Sequence, residues 1–258
     1  MKRRLAPQLI SLAAVATFAV ACASTNPADP WQGVNRPVFT FNTKVDDYVL
    51  RPVSKGWTFV TPQAVRDSVA RFFFNWRFPS RFVSSVGQGD ATKAVTEVGR
   101  FVVNTTIGIV GLFDPATSIG LARYDEDVGQ MFGRWGIPPG PYWVIPLIGP
   151  SDPRDAVGLV CDTLLNPFAW VPVVWIPYAT GALNVVNARA QADKQIENAK
   201  RTALDYYVFV RDAYTQHRAN AVRDSGPAGS GTYDLYDTGA GEGVYDAPEE
   251  PNKNAPTP

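Results

Sequence analysis

Apolar residues recur along this chain at helical rather than strand spacing. Val65, Val69, Phe72 and Trp76 follow at intervals of four, three and four, one stripe of an α-helix. Thr61-Pro62 before them reads as an N-cap followed by proline at the first helical position. Asp90 caps a second helix with Ala94, Val98 and Phe101 on one face. Asp114-Pro115 opens a short one, and Ser151 or Asp152 opens another that runs through Asp155 to Leu165. Ala192, Ile196, Ala199, Ala203, Tyr206, Val210 and Ala213 alternate four and three apart with charged residues between them. That spacing predicts a long amphipathic C-terminal helical region packed on the rest. No period-two strand set stands out, so the expected fold class is all-α.

Two segments depart from the amphipathic rule. Between Arg100 and Asp114 there is no charge, and Asn104-Thr105-Thr106 interrupts an otherwise apolar run. The segment is too short and too broken to span a bilayer. Read as a helix, it lines up Arg100, Asn104, Gly108 and Gly111 on one stripe that begins with hydrogen-bonding side chains and ends in bare backbone. Small and hydrogen-bonding residues on one stripe let helices approach closely in membranes, and a helix apolar nearly all round lies in lipid or in a core. A buried helix bending at its glycines fits as well. The second segment, between Asp162 and Arg189, is also uncharged. Pro167, Pro172 and Pro177 interrupt it, and each proline inside a helix costs about 3 kcal/mol. The prolines argue against a straight transmembrane helix, while short helical pieces in apolar surroundings or in the core both fit.

The termini change the picture. A basic start (Lys2, Arg3, Arg4), an apolar run from Leu9 to Ala21 and small residues before Cys22 make residues 1–21 a secretory signal peptide. Ala19-Val20-Ala21-Cys22 fits a bacterial lipobox, with Ala19 where leucine is usual. Cys22 is then diacylated on sulfur and becomes the acylated N-terminus; simple cleavage leaving a thiol is the alternative. Two or more acyl chains anchor stably where one does not. Ala23 in place of aspartate favours export to the outer membrane. The chain divides into the signal peptide 1–21, a lipidated tether 22–29, a helical domain 30–223, and a Gly/Pro-rich acidic tail 224–258 that should be disordered. Cys161 is left without a disulfide partner and reads as a core residue. Without residues 1–21 the chain has 21 basic and 24 acidic residues. That balance speaks against nucleic acid as a partner. The seven tryptophans are an enrichment common at bilayer and protein interfaces.

No catalytic chemistry emerges. The single histidine, His217, lies in the polar end of the last helix and reads as a surface residue. No His/Cys/Asp cluster has metal-ligand spacing, no G-x-S-x-G elbow occurs, and the glycines after Arg100 form no phosphate loop. The expectation is a non-enzyme with no cofactor, no metal and no catalytic residue.

The same segments carry a resemblance. "DPWQGVNRPVFTFN" (Asp29 to Asn42), "RFVVNTTIGIVGLFDPA" (Arg100 to Ala116), "FGRWGIPPGPYWVIPLIGPSDPRDAVG" (Phe132 to Gly158) and "LDYYVFVRDAYTQHR" (Leu204 to Arg218) follow in order. Together the four resemble the motifs of the MlaA/VacJ family of outer-membrane lipoproteins. The resemblance implies a ring-like bundle of short helices embedded in the outer membrane and facing the periplasm, beside a trimeric porin, around an amphipathic channel. It implies removal of mislocalised phospholipid from the outer leaflet and transfer to a soluble periplasmic carrier, which maintains lipid asymmetry. Shielding two acyl chains from water, at about 0.8 kcal/mol per CH₂, is the physical task. Candidate residues for the lipid path or its gate are Asn35, Arg36, Asn42, Asn104, Gly108, Gly111, Arg154 and Asp155, with Tyr142 and Trp143 in a rigid Pro-rich loop. Each also has a structural reading: caps and bends for the asparagines, a helix-start ion pair for Arg154 and Asp155, a packed connector for the loop. A porin-associated scaffold without transport activity is the rival function.

Overall fold

The structure, a computed structural model, describes Asn26 and residues 29–223. The signal peptide, Cys22, most of the tether and the tail 224–258 lie outside the described residues.

The fold is built from helices. A continuous helical rod comprises α1 (Gln32–Val45), a π-helical turn (Asp46–Leu50) and α2 (Arg51–Val60). It is followed by α3 (Gln63–Trp76), α4 (Phe78–Gly87), α5 (Ala91–Thr106), the single turn α6 (Pro115–Ser118) and α7 (Val128–Arg134). A small antiparallel hairpin, β1 (Trp143–Ile145) and β2 (Gly149–Ser151), pairs Trp143 with Ser151 and Ile145 with Gly149. Then come α8 (Pro153–Leu165), a 3₁₀ turn (Pro167–Trp170), α9 (Trp175–Gln191), α10 (Asp193–Thr202) and α11 (Tyr206–Arg223). Four helices start where an aspartate can cap them. Asp90, Asp114, Asp127 and Asp152 accept the N–H of the residue three further on, at 2.9, 3.2, 2.7 and 2.9 Å, which satisfies one orphan donor in each first turn.

Neighbour contacts run in a circuit. The helix α2 packs on α9, α9 on α3, α3 on α5, α5 on α4, α4 on α7, α7 on α11, α11 on the hairpin, and the hairpin on α1. The rod joins α1 to α2 and closes the loop. This is the arrangement expected of a ring-like bundle.

Four local expectations are revised. Pro62 itself stands at the N-cap of α3, while Thr61 is extended (φ −118°, ψ 122°) and ends α2; a residue before proline is pushed out of the helical region. The C-terminal region is two helices, because Ala203 is extended and the Asp205 carboxylate accepts the Val208 N–H to start α11 afresh. The Pro-rich loop holds a hairpin too short for a period-two signal. The helix after Asp90 ends at Thr106, so Gly108 and Gly111 do not continue its stripe.

The distribution of polarity is reversed from that of a water-soluble domain. Among the described residues, ten apolar side chains are buried, against twenty polar or charged ones, and thirty-seven large apolar residues are exposed. The largest fully buried side chains include Arg81, Arg100 and Glu97. In water such residues are almost never fully buried unless paired, and contiguous apolar exposure marks an interface. No helix among the described residues is long and apolar enough to cross a membrane.

Candidate functional site

Asparagines act as backbone braces. Asn35 on α1 is buried; its amide donates to the Tyr142 carbonyl at 3.0 Å and to Asp29 at 2.9 Å, and its Oδ1 accepts the Val144 N–H at 2.9 Å. Seven residues on, two helical turns along the same face, Asn42 donates to the Ile145 carbonyl at 2.9 Å and accepts the Leu147 N–H at 2.8 Å. The two amides serve as ladder rungs that fasten β1 to α1. Leu147 sits at the hairpin turn with φ 64°. Tyr142 is buried against Tyr207, and Trp143 meets Trp31 with ring centroids 6.1 Å apart. Arg36 lies over the Tyr207 ring and pairs with Asp205 at 2.7 Å, both side chains about 40 % exposed.

A second cluster holds the reversal after α5. Asn104 donates to Asp114 at 2.9 Å and accepts the Ala116 N–H at 3.0 Å, and Arg100 pairs with Asp114 at 2.7 Å. Ile109, Val110 and Gly111 are left-handed, with φ 52°, 60° and 93°. For the two β-branched residues that conformation costs on the order of 1–2 kcal/mol each. A side chain at Gly111 would strike Asn75, and one at Gly108 would strike the Asn104 and Phe113 carbonyls, so glycine permits the close return.

The third cluster is acidic and lies where α7, α8 and α11 meet. Arg154 is buried and pairs with Asp155 at 2.9 Å. Arg218 forks onto Asp127 at 2.6 and 3.0 Å and also binds Asp155, which accepts the Tyr214 hydroxyl at 2.7 Å. Burial works to raise the Asp127 carboxyl, but the Arg218 cation and the Gln130 N–H outweigh it and hold the pKa at about 2. Burial, with the charge of Asp127 nearby, pushes Asp162 up to about 6 against the hydrogen bonds from Ser80 and Val128 and the Arg77 cation. Its raised pKa means that the folded state favours the protonated acid, so the cost of ionising Asp162 grows as pH rises above 3.8 and is complete above about 6. Asp162→Asn removes that cost and can still accept both hydrogen bonds. The variant should gain about 1–2 kcal/mol at pH 8 and nothing at pH 4, measured as paired melting curves. His217, expected at the surface, is half-buried, and burial with the adjacent Arg218 lowers its pKa.

The ten positions named from the sequence thus fall into three clusters rather than one pocket. Cys22 lies outside the described residues. Sequence reasoning missed Asp29, fully buried and bonded to the Tyr207 hydroxyl, and the pairs Arg81–Glu97 at 2.7 Å and Lys93–Glu126. A signal for the third cluster was available. Tyr214 and Arg218 continue the four-three-four spacing of Tyr207 and Arg211, the inward face of α11, whose first two members meet Asp29 instead. An apolar groove of about 420 Å³ opens between α4 and α5, lined by Phe82, Val86, Ala94, Val95 and Val98 among others.

The family's sequence model, described as MlaA lipoprotein, matches residues 27–221. The chain belongs to the MlaA lipoprotein family. Its similarity to named members is moderate but extends over most of both chains. It is 33 % identical over 203 residues to the intermembrane phospholipid transport system lipoprotein MlaA of Haemophilus influenzae, covering 76 % of this chain and 80 % of that one. Against the Escherichia coli protein of the same description the identity is 32 % over 220 residues, covering 81 % and 86 %. An uncharacterized protein of Rickettsia typhi is 30 % identical over 200 residues, 76 % of this chain and 78 % of its own. A solved structure, reported as the structural basis for maintenance of bacterial outer membrane lipid asymmetry, superposes with a TM-score of 0.67 at 30 % identity, over 76 % of this chain and 99 % of that chain. Family membership therefore places the three clusters in a membrane-associated lipoprotein.

Proposed function

We propose that this protein is an outer-membrane lipoprotein of an intermembrane phospholipid transport system. It takes mislocalised phospholipid from the outer leaflet and hands it to a soluble periplasmic carrier, with a trimeric porin as its membrane neighbour. The observation that carries this reading is the reversed polarity. A helical ring is braced inside by ion pairs and asparagine amides and apolar outside, in a chain similar over most of its length to phospholipid-transport lipoproteins.

Two exposed tryptophans add to it. Trp135 and Trp170 are 57 % and 71 % exposed, yet their indole N–H groups donate to the Gly87 and Leu164 carbonyls at 2.8 and 2.6 Å. An indole whose donor is already satisfied offers only its apolar face, which suits hydrocarbon. Val174, Trp175 and Tyr178 of the uncharged segment are likewise exposed, so that segment supports embedding in the membrane rather than a core. With acyl chains outside, polar groups inside can form the walls of a headgroup path. Asn35, Asn42, Asn104 and Arg154 serve it by holding those walls in register. Gly108 and Gly111 serve it by allowing the close return after α5.

The test is surface-exposed phospholipid in cells lacking the gene, complemented with the wild-type chain or with Cys22→Ala. Phospholipid should accumulate in the outer leaflet on deletion and be cleared only by the lipidated form. An outer leaflet unchanged by deletion rejects transport and leaves the scaffold reading.

A further inference from the structure

We infer that the tip Ile107–Phe113, between α5 and α6, is an apolar wedge that sits in the hydrocarbon of the bilayer, with Ile109 and Val110 at its apex. The inference rests on the embedding proposed above and assigns one element its depth.

Three observations converge. The first is conformational. Two β-branched residues in succession are left-handed, at φ 52° and 60°, where glycine or asparagine is the ordinary occupant in a water-exposed turn. The second is exposure. Ile107, Ile109, Val110 and Phe113 are 71 %, 57 %, 44 % and 53 % exposed, so packing inside the protein does not compensate the strain. The apolar side chains point away from the fold that strains them.

The third is the backbone's hydrogen bonding. The N–H groups of Ile107 and Gly108 donate to Val103, that of Val110 to Thr105, that of Gly111 to Asn104, that of Leu112 to Ile109 and that of Phe113 to Gly108, all between 2.8 and 3.2 Å. The Leu112 carbonyl accepts Nε of Arg71 at 3.1 Å. The Thr105 hydroxyl is bonded to Asn75 and that of Thr106 to the Val102 carbonyl. A loop in water leaves much of this to solvent. In hydrocarbon backbone groups need partners within the protein, and six of the seven N–H groups of the tip, all but that of Ile109, have one here. The left-handed turn makes three of these bonds, because it brings the N–H groups of Val110, Gly111 and Phe113 back onto carbonyls five to seven residues earlier. Strain, exposed apolar side chains and N–H groups turned mostly onto the protein's own carbonyls together fit a phase poor in water.

The experiment places a single cysteine at Ile109 or, separately, at Val110 in the full lipidated chain carrying Cys161→Ser. The cysteine is labelled with an environment-sensitive fluorophore and the protein reconstituted in phosphatidylethanolamine/phosphatidylglycerol vesicles. Val174→Cys, 76 % exposed in the uncharged segment, is labelled in parallel as the reference for embedding. Quenching is read with doxyl-labelled phospholipid and with aqueous iodide. The expected result is blue-shifted emission at Ile109 and Val110, quenched by doxyl lipid and shielded from iodide, as at Val174. Iodide quenching at Ile109 and Val110 with lipid quenching at Val174 overturns the wedge and leaves the embedding standing. Iodide quenching at all three positions overturns both.

Discussion

Asn35→Leu should destabilise the protein by about 3–5 kcal/mol, since each buried group left unpaired costs about 1–3 kcal/mol. The leucine is of similar size, so the loss is one of hydrogen bonds. The variant strands the Tyr142 carbonyl, the Val144 N–H and one oxygen of the buried Asp29. It also opens the circuit at the contact between α1 and β1, where the helical rod is joined to the rest. Unfolding in a mild detergent, followed by near-ultraviolet dichroism, measures the effect. Two neighbours calibrate it. Asn42→Leu removes a similar pair of bonds nearer the hairpin tip, where solvent or lipid headgroups can compensate, and should cost about 1–2 kcal/mol. Arg36→Ala breaks a half-exposed pair and should cost less than about 1 kcal/mol. Equal losses for Asn35 and Arg36 variants would contradict the bracing role assigned to the amide.

The second large effect is expected from Arg218→Met. The methionine fills part of the space but leaves the Asp127 carboxylate without its bound cation, while Asp155 keeps only Arg154. Removing one partner of a buried ion pair costs about 3–5 kcal/mol. The pH dependence separates charge from packing. In the wild type the Asp127 pKa is lowered from 3.8 to about 2. Its contribution is therefore present above pH 3.8 and lost as pH falls through about 2. It amounts to about 2–3 kcal/mol by linkage. The variant lacks that contribution, and its Asp127 can take up a proton at a higher pH. The stability gap between the two proteins should be widest near pH 7 and narrow steadily below pH 5. A gap that does not change with pH would mean that Arg218 acts through packing of its aliphatic stem.

Much of the secondary structure was legible because its causes are local. An aspartate whose carboxylate accepts the N–H three residues on favours a helix start there, and Asp90, Asp114 and Asp152, the last one of two positions expected, each cap one. Prolines argued against a straight span between Asp162 and Arg189, and the structure has a 3₁₀ turn and a fresh helix there. The candidate site was less legible. Asn35 meets Tyr142 across 107 residues of sequence and Asp29 meets Tyr207 across 178, distances over which no periodicity carries information.

Periodicity also depends on the solvent it assumes. On α11 the apolar stripe Tyr206, Val210 and Ala213 pointed to a packing face. The face that docks instead carries Tyr207, Arg211, Tyr214 and Arg218 as well as Val210, because Asp29 ahead of α1 and the aspartates at the starts of α7 and α8 receive them. The sequence by itself determined the helical class, the aspartate caps and the family. Only the tertiary structure decided which side of each helix faces inward. Asparagine amides and ion pairs made across the whole chain set that orientation, and they turned the apolar side chains outward.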